Sequence, residues 1–582
     1  MNAAFDRFLD AAFVRMMAEV PELPTHMGIF DVGGIACLQD RFTDTSESGA
    51  LRRLRLLDEL RARLRAFARE PLDEHRRLTA EVLEFFFSYA QERDWIGVEG
   101  KAFWDHRPSL RPGVGLQAEL PLFLTEMHPM RHAQDAHDYV ARVRQIPLLM
   151  TEAAASLARQ RAKGIVAPSF QIDDTIAEAN AFIACGPLQN SVYTVFADKT
   201  TVLPDVSARA REELLAQVEH HLQSGVYPAY RAAIEALRAQ RESAGNHPGV
   251  WALPDGEDYY EFLLRGATTT ELNAADIHEL GREQVAAISA RICDQFRAMG
   301  YHETSVADAF RRFDATDSEP RADTEENRRQ IVEELRSLIA DVRAELPRWF
   351  MRLPRAEAVV EPIPRFAEHT RNQTYHPPSR DGSRPGVFDV NVRNLLATPN
   401  LSLPTLVFHE TWPGHHLQLS LALENEELPH IRRALTFDAY IEGWAKYAEV
   451  LPFEQGFEQT DRQRLLSQRA ELVSTVNLVL DTGIHSRRWS REQAILFFAD
   501  ATGMPHDFAT YVVHRSAATP AQLCSYKIGL TKFRELEARI RAAQGAHFDL
   551  RLFHDLVLEN GALPLGVLER TFDQALAKRS EA

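Results

Sequence analysis

Seven prolines fall between residues 354 and 399, and on either side of that window the chain follows a helical period almost throughout. A proline ring clashes with the preceding turn and has no N–H to donate, so at this density no long helix crosses the window. Outside it, apolar residues return at three- and four-residue steps. The stretch LRRLRLLDELRARLRAFA (51–68) sets leucines on one face with arginines between them. ARAREELLAQVEHHLQSGVYPAYRAAIEALRAQRESAG (208–245) reads as two helical segments around a Gly-Val-Tyr-Pro interruption. TELNAADIHELGREQVAAISARICDQFRAMG (270–300) starts at a cap-like Asn273 and stops at Gly300. NRRQIVEELRSLIADVRAELPRWF (327–350) is a further helix. Inside the window, GVFDVNV (386–392) alternates like a short strand, and SRDGSRPG (379–386) is rich in turn formers.

The expected fold is therefore mostly α with one small β-sheet. It divides into an N-terminal helical half, 1–245, and a second half, 246–582, that carries the β segment (351–400) and the candidate site; the two are expected to form one continuous unit. The charged run DATDSEPRADTEEN (314–327) reads as a solvated linker.

Bulk properties exclude some functions. A formal net charge of −17 argues against a nucleic-acid partner, which requires a basic footprint. The four cysteines, Cys37, Cys185, Cys293 and Cys524, are far apart and form no CxxC pair, which fits thiols rather than a disulfide framework. The N-terminal stretch MNAAFDRFLDAAFVRMMAEVPELP places Asp6, Arg7, Asp10 and Arg15 among apolar residues and reads as an amphipathic helix, with no signal-peptide core. No run approaches ~20 uncharged apolar residues. The expectation is a cytoplasmic protein, monomer or homodimer, with no membrane partner.

One cluster carries chemistry. FHETWPGHHLQL (408–419) holds His409, Glu410, His415 and His416 around Pro413 and Gly414. A helical HExxH site would need its second histidine at 413. In an unbroken helix His416 would lie about 10.5 Å further along the axis than His409, and His415 would point roughly 120° away. Both are poor placements for one ion whose bonds are ~2.0–2.1 Å long. Pro413 breaks the helix beside the first candidate ligand and Gly414 eases the turn, so the motif reads as HExxH with two residues looped out. His415 then becomes the second ligand, with His416 as the alternative ligand or as a partner behind it. Single His-Glu pairs arise by chance in a chain with 22 histidines, but three histidines, a glutamate and a helix break within eight residues are a more specific pattern.

A third ligand is sought downstream. In TFDAYIEGWAKYAEVL (436–451), Glu442 has Ala439 and Ala445 at i−3 and i+3 and Gly443 beside it, which leaves room for a helix or an ion to approach; Glu449 is the runner-up. The plainer reading is a solvated helix glutamate. Glu410 is left as general base toward a water acidified by the metal. Tyr526, Tyr375 and His485 are candidate donors to an oxyanion. Asp481 and His485, at i,i+4, could form a carboxylate–histidine pair behind the site. Arg384 could bind a substrate carboxylate, although turn stabilisation is the commoner use. The strand GVFDVNV, which includes Asn391, could align an extended peptide.

HETWPGHHLQ together with EGWAKYAEVL resembles the bacterial domain-of-unknown-function 885 family. RDGSRPGVFDVN, DTGIHSRRWSREQA, CSYKIGLTKFREL and FDLRLFHDLVLENGALPLGVLE look like the same family, and the likeness covers most of the chain from about residue 245 onward and is expected to extend over all of it. The resemblance implies a large helical body around a deep cleft, akin to zinc peptidases of the angiotensin-converting-enzyme and carboxypeptidase Taq type. It implies His409, His415 and Glu442 as ligands of one Zn²⁺ and Glu410 as base. The chain departs from those peptidases by the two inserted residues, which leaves His415 and His416 both open. Many members resemble lipoproteins, whereas no signal peptide or lipobox cysteine is read here. The expected function is a zinc-dependent hydrolase of amide bonds in short peptides. The alternatives are a metal-dependent enzyme acting on a non-peptide metabolite, or a non-catalytic metal- or peptide-binding protein; another divalent metal is also open.

Overall fold

The computed structural model describes residues 2–581 except 30, 31, 33, 34, 36, 37, 70, 95–105, 317–320, 364, 366, 367, 369–372, 381, 383, 398–400, 458 and 459. The fold is mostly helical with one small three-stranded sheet. The chain forms two compact units, Met1–His247 with Ala252–Gly256, and Pro248–Trp251 with Glu257–Ala582.

The described secondary-structure elements of the first unit are all helical, and its core gathers Tyr139, Val143, Ile146 and Met150 with Phe196, Val218, Tyr230 and Ile234. The Gly-Val-Tyr-Pro interruption is milder than the sequence suggests. The helix Ala208–His221 passes through a single π turn, Leu222–Val226, into Tyr227–Arg241. The π turn absorbs the missing N–H of Pro228 without breaking the rod.

In the second unit the helix Asp461–His485 is buried along its C-terminal half. Ala274–Ala298 lies against it, with Gly281 as the contact: a Cβ there would come 2.8 Å from Val479 Cγ2. That helix starts as its sequence indicates, with Asn273 accepting from Asp276 N and the Asp276 carboxylate accepting from Asn273 N. The expected linker at 314–327 is shorter than its charge suggests, because Val306–Thr316 extends into it and Glu325–Glu345 begins within it; residues 317–320 lie outside the described residues.

The proline window holds the sheet. β1 (Ala358–Pro362) pairs in parallel with β3 (Gly386–Val390), and β2 (Thr374–His376) pairs antiparallel on its other side. Phe388 and Val390 point into the core, as the alternation requires. The sheet delivers one side chain to the candidate site. Tyr375 pairs across from Phe388, and a Cβ at Gly386 would fall 2.4 Å from the Tyr375 hydroxyl, so glycine at 386 leaves that hydroxyl its place.

Candidate metal centre

The helix Leu403–Glu410 opens on Ser402, whose hydroxyl accepts from Thr405 N, with Pro404 in the first turn. It stops on Glu410, the second residue of the His-Glu pair. Thr411 takes non-helical angles (φ −115°, ψ −105°), the Trp412–Pro413 peptide is cis, and a new helix, His415–Glu424, begins at the histidine pair. Gly414 is needed for space: a Cβ there would lie 2.0 Å from the His409 carbonyl oxygen and 2.3 Å from that of Phe408. The chain thus folds back over the end of the first helix. Trp444 Nε1 donates to the Pro413 carbonyl at 2.9 Å and fixes the break against the helix Asp438–Ala448.

That helix brings Glu442. It crosses Gln522–Gln544 so closely that a Cβ on Gly443 would sit 2.4 Å from Gly529 Cα, and one on Gly529 would sit 1.8 Å from the Ala439 carbonyl oxygen. The small residues around Glu442 therefore admit a neighbouring helix, and the carboxylate faces the two histidines.

His409, His415 and Glu442 each present one ligand atom, all within 4.8 Å of one another. Glu442 Oε2 lies 3.6 Å from His409 Nε2 and 3.5 Å from His415 Nε2. These gaps are long for hydrogen bonds, and Glu442 Oε2 is a buried oxygen without a hydrogen-bond partner among the described residues. They match a shared ion instead, since ligand atoms bound tetrahedrally at ~2.0–2.1 Å sit about 3.4 Å apart. The two imidazoles meet edge-to-face, centroids 4.7 Å apart.

His409 is oriented from behind. Its Nδ1–H donates to Glu449 Oε1 at 3.0 Å, which turns the Nε2 lone pair toward Glu442. Glu449 in turn receives Lys446 Nζ on both oxygens at 2.7 Å, a pair with 8% side-chain exposure on each partner. The runner-up ligand is thus an orienting carboxylate. Burial disfavours a charged His409, but Glu442 and Glu449 outweigh it and raise its pKa to about 10. Burial likewise raises the Glu442 carboxyl, and the two imidazoles overcome that and hold it far below its usual range. Glu410 makes no hydrogen bond or ion pair with any described residue, so its carboxylate remains available next to the cluster.

His416 faces elsewhere. It is fully buried, its Nε2–H donates to the Ala356 carbonyl (3.0 Å), and its Nδ1 accepts from the Tyr375 hydroxyl (2.7 Å). Burial lowers its pKa to about 4. With both ring nitrogens engaged it has no atom for an ion, so the alternative ligand becomes a packing histidine under Trp412.

The remaining candidates divide. Tyr526 stacks near His409, ring centroids 6.5 Å apart. Its oxygen accepts from Arg515 Nη2 (2.8 Å) and Gln522 Nε2 (3.2 Å). Both lone pairs are filled, and no described residue accepts its proton, so Tyr526 can only donate. Tyr375 lies beside His415, but its proton goes to His416. His485 is corrected: it is fully buried, with Nδ1 accepting from Val250 N and Nε2–H donating to the Ser516 carbonyl. It does not pair with Asp481, whose oxygens accept from Tyr260, Ser516 and Ala521 N. Asn391 is corrected too, since its side chain caps the following helix at Asn394 N and donates to the Glu368 carbonyl. Arg384 closes the turn between β2 and β3 through the Pro377 carbonyl and Ser379. The sequence reading missed Lys446, Gln522 and Arg515. Lys446 had a faint signal, a lysine in an otherwise apolar stretch three residues before Glu449. Gln522 had the i,i+4 spacing to Tyr526 within one helix, whereas Arg515 had none, because a non-helical turn separates it from Tyr526.

A family model described as a bacterial protein of unknown function, DUF885, matches residues 21–572. The chain belongs to that family. Two solved structures share the DUF885 chain's fold. One is a "putative lipoprotein" from Colwellia psychrerythraea, with a TM-score of 0.90 and 26% identity over 99% of each chain. The other is a "putative lipoprotein of unknown function" from Shewanella oneidensis, with a TM-score of 0.72 and 17% identity over 97% of this chain and 99% of that one. Neither is described as a peptidase of the angiotensin-converting-enzyme type. No curated protein matches. Both structural relatives are described as lipoproteins, and on that finding the cytoplasmic expectation is withdrawn. Scattered thiols argue against a disulfide framework, which is a weaker statement than a cytoplasmic address. No described helix is long and apolar enough to cross a membrane.

Proposed function

We propose that this DUF885 protein is a zinc-dependent hydrolase of amide bonds in short peptides, related in site design to helical zinc peptidases with a deep cleft. The observation that supports it most is the spacing of His409, His415 and Glu442 around a shared point, with the unpaired Glu410 carboxylate adjacent. Two imidazoles and a carboxylate are a donor set suited to zinc, and three protein ligands leave one position open, as catalytic sites require. A zinc ion held there supplies Lewis acidity toward a substrate carbonyl and toward water.

The chain's own groups divide the remaining work. Glu410 accepts the proton of the attacking water and returns it to the leaving amine. Tyr526 directs its proton to the oxygen on which negative charge develops. Glu449, neutralised by Lys446, keeps His409 in the tautomer that offers Nε2. The lipoprotein description of the structural relatives supports work outside the cytoplasm.

The test is Glu410→Gln. Purified protein should hold about one equivalent of zinc, and the variant should keep it while losing peptide turnover. Undiminished turnover would remove Glu410 from the chemistry. A chain that holds no zinc would remove the reading altogether.

A further inference from the structure

Arg515, in the helix His506–Ala518, is a half-buried cation beside the cluster with no carboxylate partner among the described residues. Its polar contacts run through one nitrogen, Nη2, which donates to Gln522 Oε1 (2.9 Å) and Tyr526 Oη (2.8 Å). Its Nε and Nη1 groups bond to no described residue. Several other enclosed arginines are matched more fully. Arg328 is paired with Asp323 and Glu368, and Arg469 with Asp314. Arg142 lacks a carboxylate but gives its N–H groups to the Arg41 carbonyl, His128 and Thr25. A guanidinium withdrawn from water is costly unless an anion or acceptors meet it, and Arg515 keeps its Nε and Nη1 groups for one.

A carboxylate that acts on Arg515 through space is Glu442, itself a member of the cluster. The contacts from the His409 ring through the Tyr526 ring (6.5 Å) to Arg515 (2.8 Å from the hydroxyl) place the guanidinium within roughly 12 Å of His409, a span of about three extended residues at ~3.3–3.6 Å each.

We propose that Arg515 anchors the free C-terminal carboxylate of the substrate, so that the site removes a fragment of one to three residues from the end of a peptide. This rests on the hydrolase reading above. Gln522 and Tyr526 take both hydrogens of Nη2, and the Nε–H and Nη1 groups are left to donate to the carboxylate.

The experiment measures calorimetric binding of trialanine and of trialanine amide to full-length, zinc-loaded Glu410→Gln protein, with and without Arg515→Met or Arg515→Lys. The free acid should bind about tenfold tighter than the amide, as a charge-assisted hydrogen bond allows. Arg515→Met should abolish that difference while leaving amide binding as it was, which also shows that the variant is folded; Arg515→Lys should restore part of it. Equal affinity for acid and amide in the Glu410→Gln parent would overturn the anchor and leave the peptide reading standing. So would an equal loss of both ligands in Arg515→Met, because Arg515 would then act only by holding Tyr526. If neither peptide binds protein that retains its zinc, the peptide reading fails and takes the anchor with it.

Discussion

Replacing Gly443 with alanine tests how Glu442 is placed. The new Cβ would lie 2.4 Å from Gly529 Cα, 2.5 Å from the Gly529 carbonyl carbon and 2.9 Å from Leu530 N. Favourable carbon contacts begin near ~3.5 Å, so the two helices must part by about 1 Å. Overpacking of this kind costs about 1–3 kcal/mol, and each kcal/mol lowers the Tm of a large domain by about 2–4 °C. Glu442 is the adjacent residue and moves with its helix, whereas metal–ligand distances tolerate only about 0.2 Å. Thermal unfolding with and without zinc, alongside a zinc titration, reads both effects. The metal-free Tm should fall by several degrees, and the rise produced by zinc should shrink. A lowered Tm with wild-type zinc affinity would show that the crossing stabilises the fold without positioning the carboxylate. No change in either would refute the packing argument itself.

Other consequences are as direct. Glu449→Gln removes the charge that orients His409 and should weaken zinc binding about 10–100-fold while the ion stays in the same place; an unchanged affinity in competition with a chelator would count against the orienting role. His415→Gln should lose the metal and His416→Gln should keep it, with the metal content of the purified variants as the readout. Acid should destabilise the second unit through His554, which burial holds at about 4, with Tyr447 and the Trp349 carbonyl on its two nitrogens. The folded pKa lies below the unfolded value of about 6.5, so only the unfolded chain gains the proton between those pH values. Stability is therefore intact above about pH 6.5 and lost as pH falls toward 4, by about 3 kcal/mol from this group. Urea unfolding across that range should be less pH-dependent in His554→Gln; an equal slope would remove the assignment.

Much of the site was legible because local rules governed it. Pro413 and Gly414 signal a broken helix from sequence alone, and a break is what lets His415 share a focus with His409. The strand 386–390 declared itself by alternation. What could not be read depended on partners distant in the chain. His416 looks as good a ligand as His415 until Tyr375 and Ala356 engage both its nitrogens. Asp481 and His485 have the right helical spacing to pair, yet Tyr260, Ser516 and Val250 claim them first. Arg515 reads as an ordinary charge, because only tertiary packing shows that its hydrogen-bond partners are Gln522 and Tyr526 and not a carboxylate.

The central claim is that one divalent cation sits among His409, His415 and Glu442. Anomalous diffraction at the zinc edge from zinc-equilibrated crystals tests it without reference to any substrate. The account predicts a single strong peak about 2.0–2.2 Å from His409 Nε2, His415 Nε2 and a Glu442 oxygen. A peak bound by His416 or Glu449, or no peak at saturating zinc, would contradict it.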